Sequence, residues 1–162
     1  MAEPKAKTHL QKLGFLDTDK KNSKHDIIQI WAYENAHQII AETIMSKNEF
    51  PFKIDKIKWE HQVINQNGSF SQLVGFIDIM VKISGKFYSE PNKDFQEETR
   101  EIFIEVKTEI PSVGALIRQI RAYQTYKSYV HYIVVAPDNK FEKLLDEQGI
   151  WFFKYSDPNL LF

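Results

Sequence analysis

Two apolar runs, 75–83 (GFIDIMVKI) and 101–110 (EIFIEVKTEI), have the β-branched and aromatic density of core strands. Each nevertheless carries charge near its middle: Asp78 in the first, Glu105 and Lys107 in the second. An ionised side chain is costly to bury unless it is paired or hydrogen-bonded. Any fold that makes these strands central must therefore supply partners for three charges.

The flanking segments define that fold. Residues 23–46 read as one long helix, with Ser23 and Asp26 spaced as a capping box and no Gly or Pro before Pro51. A strand over 52–64 is closed by the turn signal Asn67-Gly68, and a second strand over 70–83 ends at Ser84-Gly85. Polar residues 85–101 form a loop or an exposed hairpin extension. A third strand spans 102–110, and Pro111-Ser112 opens a helix through 128. Residues 129–137 alternate little, as buried strands do. A short helix over 139–148 is stopped by Gly149, and a last strand covers 150–155. This order predicts an α/β fold in which a meander joins a crossover unit, giving a mixed sheet flanked by helices.

At 162 residues the chain fits one domain, 25–162, behind a lysine-rich lead, 1–24. The lead holds six lysines against Glu3, Asp17 and Asp19. It reads as a solvated arm, with phosphate contact as the alternative. Net charge is −1, so overall electrostatics do not announce a polyanion binder. The absence of cysteine excludes disulfides, thiolate zinc sites and a Cys nucleophile. No apolar run reaches the roughly 20 residues a bilayer requires, and the N-terminus lacks the apolar stretch of a secretory leader. A cytoplasmic, non-membrane protein is the expectation.

Strand geometry turns Glu105 and Lys107 to one side with Phe103, and Ile104 and Val106 to the other. If the two charged strands lie side by side, Asp78 approaches Glu105. Neighbouring carboxylates repel unless a cation lies between them, and oxygen donors suit Mg²⁺. The plainer alternative is a same-face Glu105–Lys107 ion pair on a half-solvated strand. On the following helix, Gln119 and Tyr123 stand four apart and share a face near Leu116 and Ile120. Arg118 and Arg121 flank them as candidate phosphate contacts. On the first helix, a helical projection sets Glu34 among Ile27, Ile30, Trp31, Ala41 and Met45, where a carboxylate needs a partner; the alternative is a Glu at the helix margin reaching solvent. The five histidines show no metal-ligand spacing. His25 reads as a surface residue, His131 as packing, and His61 has no assignment.

The segments GFID and IEVK on successive strands, followed by QIRAY on a helix, resemble the PD-(D/E)XK nuclease superfamily, with a Q-x-x-x-Y helix similar to RecB-type exonucleases. The resemblance covers roughly residues 25–155, and Ile77 stands where the superfamily's eponymous Pro would be. It implies a restriction-endonuclease-like core of order α-β-β-β-α-β, here with an extra C-terminal helix and strand. It further implies Asp78, Glu105 and the Val106 carbonyl as Mg²⁺ ligands, with Mn²⁺ able to substitute, and Lys107 as the catalytic lysine. Gln119, Tyr123 and Glu34 would complete the site. The implied activity is hydrolysis of phosphodiester bonds in DNA, by a homodimer or with other subunits supplying specificity. The alternative is a nuclease-like module that binds DNA or protein without cutting.

Overall fold

The first three strands fold by local hairpins. A computed structural model describes residues 23–156 apart from Ser128. Strand β1 (Phe52–Asn67) turns into β2 (Phe70–Ser89) through Gly68 and Ser69, with Gly68 at φ +64°. Only glycine adopts that conformation without cost, and it suits the tight turns whose twist matches paired strands. Strand β2 returns as β3 (Asp94–Val106), antiparallel from Ser89↔Asp94 to Ile79↔Ile104. The 85–101 segment is thus a hairpin extension of β2 and β3, and β2 runs through Gly85 instead of ending there.

Helix α3 (Val113–Tyr126) carries the chain from β3 to β4 (His131–Ala136), which pairs parallel with β3. The Ser112 side chain caps this helix by accepting from Ala115 N at 3.1 Å. A short helix, α4 (Glu142–Glu147), leads to β5 (Trp151–Lys154), parallel to β4. The sheet order is β1-β2-β3-β4-β5. The expected α/β architecture with a central mixed sheet is present. The lead expected at 1–24 lies outside the described residues as far as residue 22; Ser23 and Lys24 open the first helix.

The single helix expected over 23–46 is two: α1 (Ser23–Glu34) and α2 (Ala36–Glu42). Asn35 separates them, its side-chain amide donating to the Trp31 carbonyl at 2.8 Å. This local bond is the kind by which Asn competes with helical continuation. Inward positions on α1 are His25, Ile28, Gln29 and Ala32, the spacing of one helical face.

The sheet divides the core into two layers. On one side, α1 and α2 pack through Ile28, Ile39 and Ile40 on Val81, Ile104 and Val135. On the other, α3 packs through Leu116, Ile120 and Tyr123 on Met80, Phe103 and Val134. Ile104 is fully buried, and cutting it to Ala would cost about 2–5 kcal/mol. Strand β2 changes face at Asp78. Ile79, Val81 and Ile83 belong to the α1 layer, whereas Ile77 joins Met80 in the α3 layer. Glu60 on β1, at φ +50°, falls between the pairs Trp59↔Ile79 and His61↔Ile77. An irregularity in both strands therefore brackets the one acid on β2's central stretch.

Candidate functional site

The rotation of β2 at Asp78 sends its carboxylate toward the end of β3. There Asp78 Oδ2 accepts the Val106 backbone N–H at 2.8 Å, just beyond the last β2–β3 register pair. Val106 lies between Glu105 and Lys107, so the acid on β2 reaches the segment that carries the other two charges. Lys107 N in turn donates to the Val135 carbonyl at 2.9 Å, prolonging the β3–β4 pairing past the strand end. Asp78, Glu105 and Lys107 are 6%, 3% and 6% exposed. Solvent alone cannot neutralise groups so enclosed, so protein or ligand partners must.

Asp78 is held from the α1 side. Gln29, fully buried, donates from Nε2 to the Asp78 carbonyl at 3.0 Å. His25 Nε2 lies 3.5 Å from Asp78 Oδ2, and His25 is only 2% exposed. The surface role expected of His25 is therefore wrong. It occupies the inward stripe of α1 one turn before Gln29. Sequence reasoning missed both residues, because His and Gln in a helix pattern score as polar surface. The available signal was their spacing with Ile28 and Ala32.

Glu34 departs from its expected surroundings. It is exposed at the C-terminal end of α1, and Ile27 and Ile30, its expected apolar neighbours, are 47% and 49% exposed. The projection placed the inward face on the wrong side of the helix. The polar residues of α1 that reach Asp78 are His25 and Gln29.

Glu105 faces the α3 layer, as its alternation with Ile104 and Val106 predicts. Its charge acts on Tyr132, a β4 residue on the same face of the sheet. Burial pushes the Tyr132 phenol far above its ordinary range, with Glu105 and then Tyr123 adding to the rise. Tyr123 is 1% exposed on the inward face of α3, and Gln119 is half-buried one turn before it. Gln119 Nε2 is enclosed with no hydrogen-bond acceptor among the described residues. The Q-x-x-x-Y pair thus lies on the layer that Glu105 faces. Arg118 is exposed, while Arg121 donates to Gln124 Oε1 at 2.7 Å and to the Gln148 carbonyl at 2.6 Å. The second bond ties α3 to the end of α4.

Among the described residues, no group of three or more His, Asp or Glu gathers closely enough to hold a metal ion by itself, and no helix is long and apolar enough to cross a membrane. His131 opens β4, and His61 lies on β1 opposite Ile77, the residue before Asp78. Comparison with known proteins finds no matching family, no matching curated protein and no matching solved structure.

Proposed function

We propose that the protein is a metal-dependent nuclease with a restriction-endonuclease-like core, hydrolysing phosphodiester bonds in DNA. The observation that carries the reading is the Asp78–Val106 hydrogen bond, which joins a buried acid on β2 to the Glu105–Lys107 segment of β3. A purely structural strand end has little use for three enclosed charges at one place.

The residues present fit a hard divalent cation. Two carboxylates and the Val106 carbonyl are oxygen donors, and Mg²⁺ is commonly held by one or two carboxylates, its other positions going to water and substrate phosphate. When bound, the ion would offset the carboxylate charges, polarise the phosphoryl group and lower the pKa of a water.

The chain's own residues do the rest. Lys107 orients the attacking water and stabilises negative charge developing on the phosphoryl oxygens. Gln119 and Tyr123, on the α3 face that Glu105 meets, would fix Lys107 or a phosphate oxygen. His25 and Gln29 hold Asp78 against the end of β3. Two enclosing layers and a paired strand end make a rigid platform, which suits chemistry that depends on positioning.

Cleavage of linear and circular DNA with Mg²⁺ or Mn²⁺ tests the reading. Asp78→Ala and Lys107→Ala should each lower the rate about 100-fold or more. Activity that survives both substitutions would remove the assignment. A second reading is a DNA- or protein-binding module that does not cut, in which Asp78 Oδ2 serves only the Val106 amide. That reading predicts no Mn²⁺-dependent rise in Tm, whereas an ion specific to the folded state raises it.

A further inference from the structure

On the same side of the sheet as Glu105, but toward the opposite end of α3 from Gly114, an open cleft of about 570 Å³ separates β1 from the helix end. Gln62, Asn65 and Gln66 line it from β1, and Tyr126 and Lys127 from α3, with His61 at its inner end. Among the described residues, no Asp or Glu lines it. Strand β1 is the sheet edge, so the cleft opens sideways to solvent.

The lining has a consistent chemistry. Tyr126 is 40% exposed and offers a ring, and Tyr129, just beyond Lys127, is 94% exposed. Amide side chains present a donor and an acceptor together, the pattern that pairs with the polar edge of a nucleobase. Lys127 makes no ion pair among the described residues. Burial is the main cause of the lowered basicity of His61; Lys58, Lys127 and Lys56 add to it against the opposing Glu101. Lys58, Lys127 and Lys56 thus act on the His61 end of this cleft, opposed by Glu101, whose carboxylate lies 4.0 Å from His61 Nε2. Its inner wall is continuous with the candidate catalytic strand: the His61 ring lies 5.7 Å from that of Phe103, two residues before Glu105.

We propose that this cleft binds single-stranded nucleic acid: Tyr126 stacks on an unpaired base, Asn65 contacts its polar edge, and Lys127 meets a neighbouring phosphate. Aromatic stacking beside cations is how single strands are held without a recognition code, and a base inside a duplex has no free face to offer. The inference rests on the nuclease reading for its place in catalysis and narrows that reading's substrate to single-stranded segments.

Fluorescence anisotropy of labelled oligonucleotides in EDTA tests binding apart from cleavage. The wild-type protein should bind single-stranded DNA more tightly than the matching duplex, with an RNA of the same sequence separating the two sources of a single strand. Tyr126→Ala should weaken binding about 5- to 100-fold, whereas Tyr126→Phe retains it. Lys127→Ala should flatten the dependence of log affinity on log salt by about 0.7. Lys143→Ala, exposed on α4, serves as the control and should leave affinity within about twofold, as a charge outside the contact does. Equal affinity of wild type, Tyr126→Ala and Lys127→Ala would overturn the proposal, as would preference for duplex. Binding that depends on Tyr126 with no cleavage in Mg²⁺ keeps this inference and removes the nuclease reading. Cleavage indifferent to both substitutions does the reverse.

Discussion

Asp78 Oδ2 accepts the Val106 amide at 2.8 Å where the β2–β3 ladder ends, so a side chain completes what a backbone carbonyl does elsewhere in the sheet. The bond gives Asp78 a structural duty alongside its proposed chemical one. A buried amide left without an acceptor costs stability, and a carboxylate left without a donor or cation costs more. The same pair therefore couples the integrity of the strand end to the position of the acid.

That coupling separates two substitutions. Asp78→Ala removes the acceptor and should lower stability by about 1–3 kcal/mol, read as a lower urea midpoint at unchanged m. Asp78→Asn keeps an oxygen for Val106 while discarding the charge, and should cost about 1 kcal/mol or less. If the acid also binds a cation, both variants lose the Mn²⁺-dependent rise in Tm. Equal stability of the Ala and Asn variants would contradict the role given to the Val106 bond.

The residues that hold Asp78 explain what was legible in the sequence and what was not. Strand charges stand out because they violate a pattern, and Asp78, Glu105 and Lys107 were visible for that reason. The Gly68 turn was visible because few residues reach its backbone angles. His25 and Gln29 violate nothing: on a helix they look like ordinary solvent-facing positions until a partner 49 or more residues away is known. The apolar surroundings expected of Glu34 are absent for a related reason: Ile27 and Ile30 suggested a core face that the fold leaves exposed, and Glu34 reaches solvent, as the alternative reading has it. The end assigned to β2 at Ser84-Gly85 was wrong because a glycine that stops a strand and one that permits a close cross-strand approach look alike in sequence.

Stability should fall as pH is lowered through the histidine range. Burial lowers the pKa of His131, with Arg100 adding to the effect, and burial is also the leading cause of the lowered pKa of His61. In both cases the unfolded chain takes up protons more readily than the folded one. Stability from these groups is therefore complete above the ordinary histidine pKa of about 6.5 and declines as pH drops from there toward the folded values. His131→Gln should flatten this decline in urea midpoints measured across pH 5 to 8, a range of about three units around that pKa. An unchanged slope in that variant would exclude His131 as a contributor.

Tyr132 permits a sharper separation of packing from hydrogen bonding. Its ring meets Phe103 edge-on at 5.5 Å, while its hydroxyl is buried with no hydrogen-bond partner among the described residues. Tyr132→Phe keeps the ring contact and removes a polar group that gains nothing from the protein. The substitution should be neutral or stabilising by up to about 1 kcal/mol, seen as an unchanged or higher Tm. A loss larger than that would mean the hydroxyl is satisfied by an ordered water whose removal the fold feels.

Gly85 and Gly68 should fail for different reasons when replaced by Ala. At Gly85 an added Cβ would stand 3.1 Å from Phe52 Cβ and 3.2 Å from the Pro51 carbonyl oxygen, on the strand paired with it. Backbone atoms and a Cβ cannot swing aside as the tip of a long side chain can. Overpacking there should cost about 1–3 kcal/mol, outweighing the gain of at most about 1 kcal/mol that Ala brings to a strand. At Gly68 the added Cβ meets nothing within 4 Å, and only its φ of +64° opposes it. That strain should cost about 1–2 kcal/mol. The discriminating measurement is the double variant with Phe52→Ala. Shortening Phe52 leaves its Cβ and the Pro51 carbonyl in place, so the Gly85 penalty should ease only as far as the strand can shift once the ring is gone. The Gly68 penalty should be untouched by it. Complete relief at Gly85 would locate the clash in the phenyl ring and its stack on His37 instead of in the backbone approach.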